Sequence, residues 1–353
     1  MNNVMRLVLV VMLSVILGSV SNAAAVETSG LDLDRLPEWE VNTRSLGGTL
    51  LLSDSPEMVV NDGILYQDKV VGTVRLFFYH VNASRDVKKM AVLLENKGKQ
   101  TAHVTVSKAT LGGPGNFWIK VGKETQTAYF SGQQAYRLSI PPGGVVPLSA
   151  SLSETAIVPN MLIHGIYDFE ADHPLTATVM MLPVTEDSVQ FSRTATVLPP
   201  DEYHLRGTFA EANRQIAPVR DYDPTADGAA GITLADNAID PYLKGIDATD
   251  GSEVLNYGNY GVVYQVLLPS KKGGKIAYYL APMGGSYAGA IGINHPEVTW
   301  SPVSTPRDRL YFGDTRKKDL AFLGTYESGD PLSFTFSPPG ASNLPIKIVI
   351  LPQ

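Results

Sequence analysis

Short stretches of alternating polar and apolar residues, separated by turn-forming residues, run through most of the chain. Residues 101–106 read Thr-Ala-His-Val-Thr-Val, the period-two pattern of a strand with one buried face. Residues 72–82, "GTVRLFFYHVN", are apolar on both faces, which is typical of a strand covered on both sides. Helical spacing occurs from Trp118 to Phe130 only. We therefore predict an all-β protein of two consecutive β-sandwich domains, Ig-like or jelly-roll-like, with one short inserted helix.

The same pattern predicts a domain organisation. Residues 1–25 are expected to be a signal peptide and residues 26–45 a flexible N-terminal segment. An Ig-like β-sandwich is predicted over 46–198, and a second β-sandwich over 199–353. The junction falls at "VLPPDEYHLRGTF", where Pro-rich loop residues interrupt the strand pattern.

The N-terminus has the three parts of a secretory signal. Arg6 precedes an apolar run from Leu7 to Leu17, and small residues suited to a signal peptidase follow, with cleavage predicted near Ala23–Ala25. The apolar run is too short to cross the ~30 Å of membrane hydrocarbon. The sequence thus predicts a secreted, extracellular or cell-envelope protein with no transmembrane segment.

Composition narrows the chemistry. The chain has 353 residues and no cysteine, so a packed core is expected to stabilise it without disulfides or thiolate metal sites. It carries 28 basic and 35 acidic residues, and removing Arg6 with the signal leaves 27 against 35, a net charge near −8. Basic clusters are short, so nucleic acid is not expected as a partner.

Residues 88–106 predict a β-hairpin around the turn Asn96-Lys97-Gly98. With this hairpin, "IPPGGVVPLSASL" and "PLTATVMML", the region from Val74 to Pro183 resembles bacterial immunoglobulin-like secreted surface modules. The resemblance implies a fold and no activity. "LLLSDSPEMVVNDGILYQDKV" with "RLFFYHVN" is similar to uncharacterised exported proteins associated with copper-amine-oxidase N-domain-like repeats. No copper-site motif accompanies it, so amine oxidation is not implied.

Tyrosines and glycines crowd the stretch "LNYGNYGVVYQVLLP" from Leu255 to Pro269. From Tyr260 onward, alternation puts the tyrosines on an aliphatic face, which favours core packing. The alternative is a platform for carbohydrate, because an aromatic ring can lie on the apolar face of a sugar. The aromatic residues proposed to bind a ligand are Tyr257, Tyr260, Trp118 and Trp300.

Acidic residues suggest two further features. The loop "DYDPTADG" offers Asp221, Asp223 and Asp227 as possible Ca²⁺ ligands, although it does not follow the EF-hand pattern. Residues 161–184 predict two strands turning near 172–174, with the acidic side of "HGIYDFEADH" facing solvent.

Catalytic motifs do not emerge. "GGSYAGA" lacks the last glycine of a nucleophile elbow, and "LGGPGNFW" lacks the spacing of a phosphate loop. No catalytic residue is therefore predicted, and no cofactor apart from the possible Ca²⁺.

The predicted function is a non-enzymatic protein that binds a surface polymer, such as cell-wall polysaccharide, or an envelope protein. The alternative is a carbohydrate-active or other secreted hydrolase whose carboxylates converge only in the fold. A purely structural envelope component is a third possibility.

Overall fold

The computed structural model describes residues 31–132, 134–313 and 319–353. The predicted signal peptide, and residues 26–30 of the predicted flexible segment, lie outside the described residues. The described residues 31–35 belong to a first unit, in which residues 32–35 form a turn closed by a hydrogen bond from Arg35 N to Asp32 O (3.2 Å). The second unit, Leu36–Gln353, contains the strands and helices named below.

The first part of this unit contains nine strands and three helices, at the following bounds: β1 Val41–Gly47, β2 Thr49–Ser53, β3 Met58–Val59, β4 Gly63–Asn82, β5 Lys88–Glu95, β6 Ala102–Gly115, α1 Trp118–Ser131, β7 Tyr136–Ile140, β8 Val145–Pro147, α2 Ala150–Glu154, β9 Leu162–Pro183 and α3 Ser188–Ser192. Twelve strands follow: β10 Arg206–Phe209, β11 Asn213–Pro218, β12 Ala230–Leu234, β13 Lys244–Asp247, β14 Ser252–Leu255, β15 Val263–Leu267, β16 Lys275–Pro282, β17 Gly289–Asn294, β18 Pro302–Thr305, β19 Ala321–Glu327, β20 Ser333–Phe336 and β21 Ile346–Pro352. The all-β prediction is confirmed, and α1 begins and ends within one residue of the predicted helix.

Two long antiparallel strands, β4 and β9, form the centre of an 11-stranded sheet. The first half of β9 also pairs with β6 and the second half with β5. The turn predicted at 172–174 is wrong, because β9 continues through it. These residues bulge out of the β4 ladder, which resumes at Leu175 opposite Val70. Pro174, which has no N–H, is tolerated at such a bulge.

The predicted hairpin at 88–106 is also wrong, because β5 pairs with β8 and β9 while β6 pairs with β7 and β9. The turn at Asn96 packs on the Pro-Pro-Gly-Gly turn instead. Asn96 N donates to Gly144 O (2.9 Å), and Asn96 Nδ2 donates to Ile140 O (2.7 Å). The asparagine therefore ties two crossing loops together, and turn chemistry alone did not show which strand would become the partner.

Strands from both predicted domains share sheets, so the structure differs from the boundary predicted at 198/199. β10, β13 and β14 extend the 11-stranded sheet beside β2. The six-stranded sheet, ordered β1-β11-β15-β20-β17-β18, takes its first strand from residues 41–47. This strand also overlaps the segment predicted to be flexible. Pairing between strands of the two predicted domains covers strand edges that would otherwise be open. This protection is the physical reason why the two halves of the chain share sheets.

Two cores lie on the two faces of β4, as its apolar pattern predicted. Leu76 and Phe78 point into one core, which β5, β6, β7 and β9 enclose. Phe77 and Tyr79 point into the other, which is shared with the six-stranded sheet and with the four-stranded sheet β12-β21-β16-β19. No helix in the described ranges is both long and apolar enough to cross a bilayer.

The acidic side of β9 faces solvent only in part: Glu170 and Asp172 are exposed as expected, whereas His164 and Asp168 are covered. His164 is fully buried, and Asp168 forms an ion pair with the buried Arg75 (Nε to Oδ1, 2.7 Å). Tyr129 of α1 donates a further hydrogen bond to Asp168 (2.6 Å). The helix therefore covers the Asp168 end of this face, which strand alternation alone did not reveal.

Candidate functional site: a tyrosine surface beside buried carboxyl groups

The turn at residues 256–261 has a fixed conformation. The side chain of Asn256 accepts from Tyr260 N (2.9 Å) and donates to Tyr260 O (2.9 Å). Gly258 and Gly261 have φ angles of 95° and 80°, in the left-handed region that glycine adopts without strain. A Cβ on Gly261 would lie 2.7 Å from Leu50 Cδ1, so the turn also needs glycine for close packing. The tyrosines of this turn are thus held on a rigid support.

A second buried asparagine brings another tyrosine to the turn. Asn259 Oδ1 accepts from Leu243 N (2.8 Å), and Asn259 Nδ2 donates to the Tyr264 hydroxyl (2.8 Å). Tyr242 consequently lies beside Tyr257, with ring centroids 6.0 Å apart and an edge-to-face angle of 75°. Tyr257 is 53% exposed and Tyr242 is half-buried. Together they form an aromatic patch that is accessible to a ligand.

The three tyrosines of residues 255–269 have three different environments. β15 begins at Val263, so Tyr260 precedes the strand and only Tyr264 lies on its buried face. Tyr260 is half-buried: its ring packs on Phe77 (centroids 6.3 Å apart), and its hydroxyl donates to Ser342 O (2.7 Å). Core packing thus accounts for Tyr264, and the exposed edge of the turn belongs to Tyr257.

A buried carboxyl group lies within electrostatic reach of Tyr260, the neighbour of this patch in the turn. β2 runs parallel to β4 with Ser53 opposite Phe78, so the next residue, Asp54, comes beside Tyr79. Asp54 is only 9% exposed, and its Oδ1 has no hydrogen-bond partner among the described residues. Glu57 follows on the loop to β3 and is half-buried.

Electrostatics link these carboxyls to the tyrosines. Burial raises the pKa of Asp54 well above its usual value, and the charges of Glu57 and Asp201 raise it further. Burial and Asp201 also raise the pKa of Glu57. The pKa values of Tyr79 and Tyr260 are raised by burial first and then by these carboxyls. We define the site as the tyrosine–carboxyl surface: Asp54, Glu57, Tyr79, Tyr242, Tyr257 and Tyr260.

Asp201 holds the loop in place. Its carboxylate accepts from Ser55 Oγ (2.8 Å), Glu57 N (2.8 Å) and Tyr203 N (3.2 Å). These hydrogen bonds occupy both oxygens, so Asp201 positions Glu57 and supplies negative charge to the site.

Replacing Asp54 with Asn is expected to stabilise the unliganded protein at neutral and higher pH. A folded-state pKa above the unfolded value means that the native state holds the proton more tightly, so stability is lost as pH rises through the folded pKa. Asn removes this cost of ionisation. We expect a gain of about 1 kcal/mol, or roughly 2 °C in Tm, measured by thermal unfolding. Asp221→Asn, at an exposed position, is the control and should leave Tm unchanged. A lower Tm for Asp54→Asn would contradict the expectation.

The two predicted tryptophans lie elsewhere. Trp118 begins α1 and its Nε1 donates to Asn160 O (3.5 Å), whereas Trp300 Nε1 donates to Phe130 O (3.3 Å) near the end of the same helix. Twelve helical residues separate these ends by ~18 Å. The structure therefore brings Tyr257 and Tyr260 together and places the tryptophans apart from each other.

Cationic side chains already pair with two carboxylates of the predicted Ca²⁺ loop. Arg220 pairs with both oxygens of Asp227 (2.7 and 2.8 Å), and Lys271 Nζ lies 3.3 Å from Asp223 Oδ2. Asp221 is exposed. The carboxylates of this loop do not form a three-ligand cluster in the described ranges, so the Ca²⁺ site stays a prediction that competes with two internal ion pairs.

One cluster in the described ranges has metal-like spacing: His204, Asp247 and Asp250. However, Asp247 Oδ2 accepts from His204 Nε2 (2.8 Å) and from Arg206 Nε (2.6 Å), and Asp247 Oδ1 accepts from Thr249 N (2.9 Å). Both carboxylate oxygens of Asp247 already accept hydrogen bonds, and the guanidinium of Arg206 lies in the cluster. The cluster therefore stabilises the fold and does not offer a metal site.

Sequence reasoning missed Asp54, Glu57, Tyr79 and Tyr242. The available signal was the acidic residue directly after the apolar run "LLLS", since a carboxyl in register with a buried strand is unusual. The tyrosines of the site come from β4, from the turn at 256–261 and from the 241–243 segment, and the pairing of β2 with β4 and the side chain of Asn259 bring these segments together.

Comparisons with known proteins find no family and only distant likenesses to solved structures. No protein-family model and no curated protein matches the chain. The CUB1-EGF-CUB2 domains of rat MASP-1 align over 86% of this chain and 99% of that one, at 9% identity and a TM-score of 0.21. The Paenibacillus xanthan lyase aligns over 91% of this chain and 26% of that one, at 9% identity and a TM-score of 0.20. TM-scores this low identify neither a shared fold nor a shared function.

Proposed function

We propose that the protein is an exported, non-enzymatic binder of a surface polymer, and that a glycan lies on the tyrosine–carboxyl surface. The observation that carries the proposal is the edge-to-face pair of the exposed Tyr257 and the half-buried Tyr242, which Tyr260 connects to the carboxyls of Asp54 and Glu57. Aromatic faces cover the apolar side of a sugar ring, and carboxyls bond its polar groups. The rigid turn limits the entropy lost on binding.

A hydrolase is the second candidate, because Asp54 has the raised pKa of a general acid. A glycosidase also needs a second carboxylate that stays ionised. Here the pKa of Glu57 is raised as well, and Asp201 is engaged in structural hydrogen bonds. The two site carboxyls are thus shifted in the same direction, which favours binding over acid–base catalysis.

Replacing Tyr257 with Ala is expected to weaken polymer binding about tenfold, equivalent to ~1.4 kcal/mol, while unfolding changes by less than ~0.5 kcal/mol, because the side chain is largely exposed. The measurement is co-sedimentation with purified cell-wall polysaccharide. Tyr311→Ala is the matched control, since Tyr311 is a similarly exposed tyrosine (47%) outside the site. Equal binding by both variants, or failure of the wild type to sediment with any wall polysaccharide, would reject the polymer-binding proposal.

Tyr260→Ala is a poorer test of the same surface. The ring packs on Phe77 and the hydroxyl bonds to Ser342 O. We expect this variant to lose about 2–4 kcal/mol of folding stability, as other buried aromatic truncations do, measured by urea unfolding. A variant that keeps full stability would show that the half-buried ring contributes little packing.

A further inference from the structure

We infer that the tyrosine–carboxyl surface recognises an ammonium group, with Asp54 and Glu57 as its acceptors and the neighbouring tyrosines as its walls. This inference rests on the proposed function and names the ligand chemistry: an amino sugar with a free amine, or an amine-bearing peptide side chain, in preference to an acetylated sugar.

The main observation is the buried and unpaired carboxyl oxygen of Asp54. It is 91% buried, given its 9% exposure, and its Oδ1 has no hydrogen-bond partner among the described residues. Buried polar atoms are nearly always paired, so an unpaired carboxyl oxygen in native structure calls for an explanation. A hydrogen-bond donor supplied by a ligand would pair this oxygen.

The charges around Asp54 favour a cationic donor. No lysine or arginine nitrogen of the described ranges lies within 4.0 Å of the carboxylates of Asp54 or Glu57. Asp201 adds a third carboxylate nearby, and its charge raises the pKa values of both. The carboxylates of Asp54 and Glu57 therefore have no cation among the described residues within ion-pair distance to balance their charge when they ionise. An ammonium would supply both the missing charge and the missing hydrogen bond.

The residue types distinguish an ammonium from a metal ion. The carboxylates of Asp54, Glu57 and Asp201 do not bring three ligand atoms together in the way the His204 cluster does. A divalent ion needs several converging oxygen ligands. An ammonium needs fewer acceptors, and it is attracted to the electron-rich faces of aromatic rings. Tyr79 and Tyr260 supply such rings, and the charges of Asp54 and Glu57 act on both, which places them within electrostatic reach.

The test compares three probes by titration calorimetry at neutral pH: a glucosamine oligosaccharide, its fully N-acetylated counterpart and an oligolysine peptide. We expect the wild type to bind the free-amine sugar at least about tenfold more tightly than the acetylated sugar. Asp54→Asn should abolish this preference, Glu57→Gln should reduce it, and Asp221→Asn should leave it intact. Thermal unfolding of each variant checks that it is folded.

The outcomes separate the inference from the function on which it rests. Equal affinity for the two sugars would overturn the ammonium inference and leave glycan binding standing. Binding of oligolysine alone, lost in Asp54→Asn, would support the ammonium inference and reject the glycan. A preference for the free amine that survives Asp54→Asn would overturn the role of this carboxyl, and failure to bind all three probes would overturn the inference.

Discussion

Replacing Arg206 with Met is expected to destabilise the protein by about 3–5 kcal/mol, because it leaves a buried carboxylate without its cation. The side chains of Arg206 and Asp247 are 2% and 0% exposed, with 2.6 Å between Nε and Oδ2. The guanidinium also donates to Leu198 O (2.8 Å) and Leu65 O (3.1 Å). Removing the guanidinium also takes a hydrogen-bond donor from these two buried carbonyl oxygens, so loss of charge and loss of hydrogen bonds act together.

Urea unfolding measures the effect, and Arg220→Met is the matched control. Arg220 forms a bidentate pair with Asp227, but its side chain is 56% exposed, so its loss should cost no more than about 1 kcal/mol. Adding Asp247→Asn to Arg206→Met should recover part of the loss, since it removes the unpaired charge. If Arg206→Met cost no more than the control, or if the second change made matters worse, the burial argument would be wrong.

Arg206 illustrates what the sequence could and could not predict of the fold. The short alternating segments, the two-faced pattern of 72–82 and the helix from Trp118 depend on nearest neighbours, and each was predictable. The partner of Arg206 is 41 residues away, and the carbonyls it satisfies come from two further segments. Strand pairing decides such contacts, and periodicity carries no information about pairing.

The candidate site shows the same limit. The sequence drew attention to Tyr257 and Tyr260 because glycines and tyrosines crowd one turn. Alternation placed Tyr260 on a strand face, yet the side chain of Asn256 closes a turn there and the strand starts three residues later. Asp54 stood unnoticed, since nothing local shows that a carboxyl after an apolar strand will come beside Tyr79. The tyrosine half of the site was therefore accessible to sequence reasoning, and the carboxyl half required the parallel pairing of β2 with β4.

Acid is expected to unfold the protein through two histidines buried in neutral form. His80 and His164 are both fully buried, and burial lowers the pKa of each to about 4. His80 contacts Ser53 Oγ and Pro56 O (both 2.9 Å), and His164 contacts Phe78 O (2.7 Å). Because the unfolded chain binds more protons between pH 6.5 and 4, the free energy of unfolding falls as pH decreases through this window. The loss is about 3 kcal/mol for each histidine.

Urea titrations at a series of pH values measure this loss, and substitution assigns it. His80→Gln and His164→Gln should each remove their own share of the pH dependence, whereas His103→Gln, at an exposed position, should not alter it. Asp54 acts in the opposite direction, because its raised pKa makes the folded state more favourable as pH falls, so the slope should steepen in Asp54→Asn. An unchanged slope in the double histidine variant would refute the assignment. Both histidines lie on the central strands, and His164 packs edge-to-face on Tyr79 of the site (centroids 5.6 Å apart). A loss of ligand binding in acid must therefore be compared with this unfolding before it is attributed to the site.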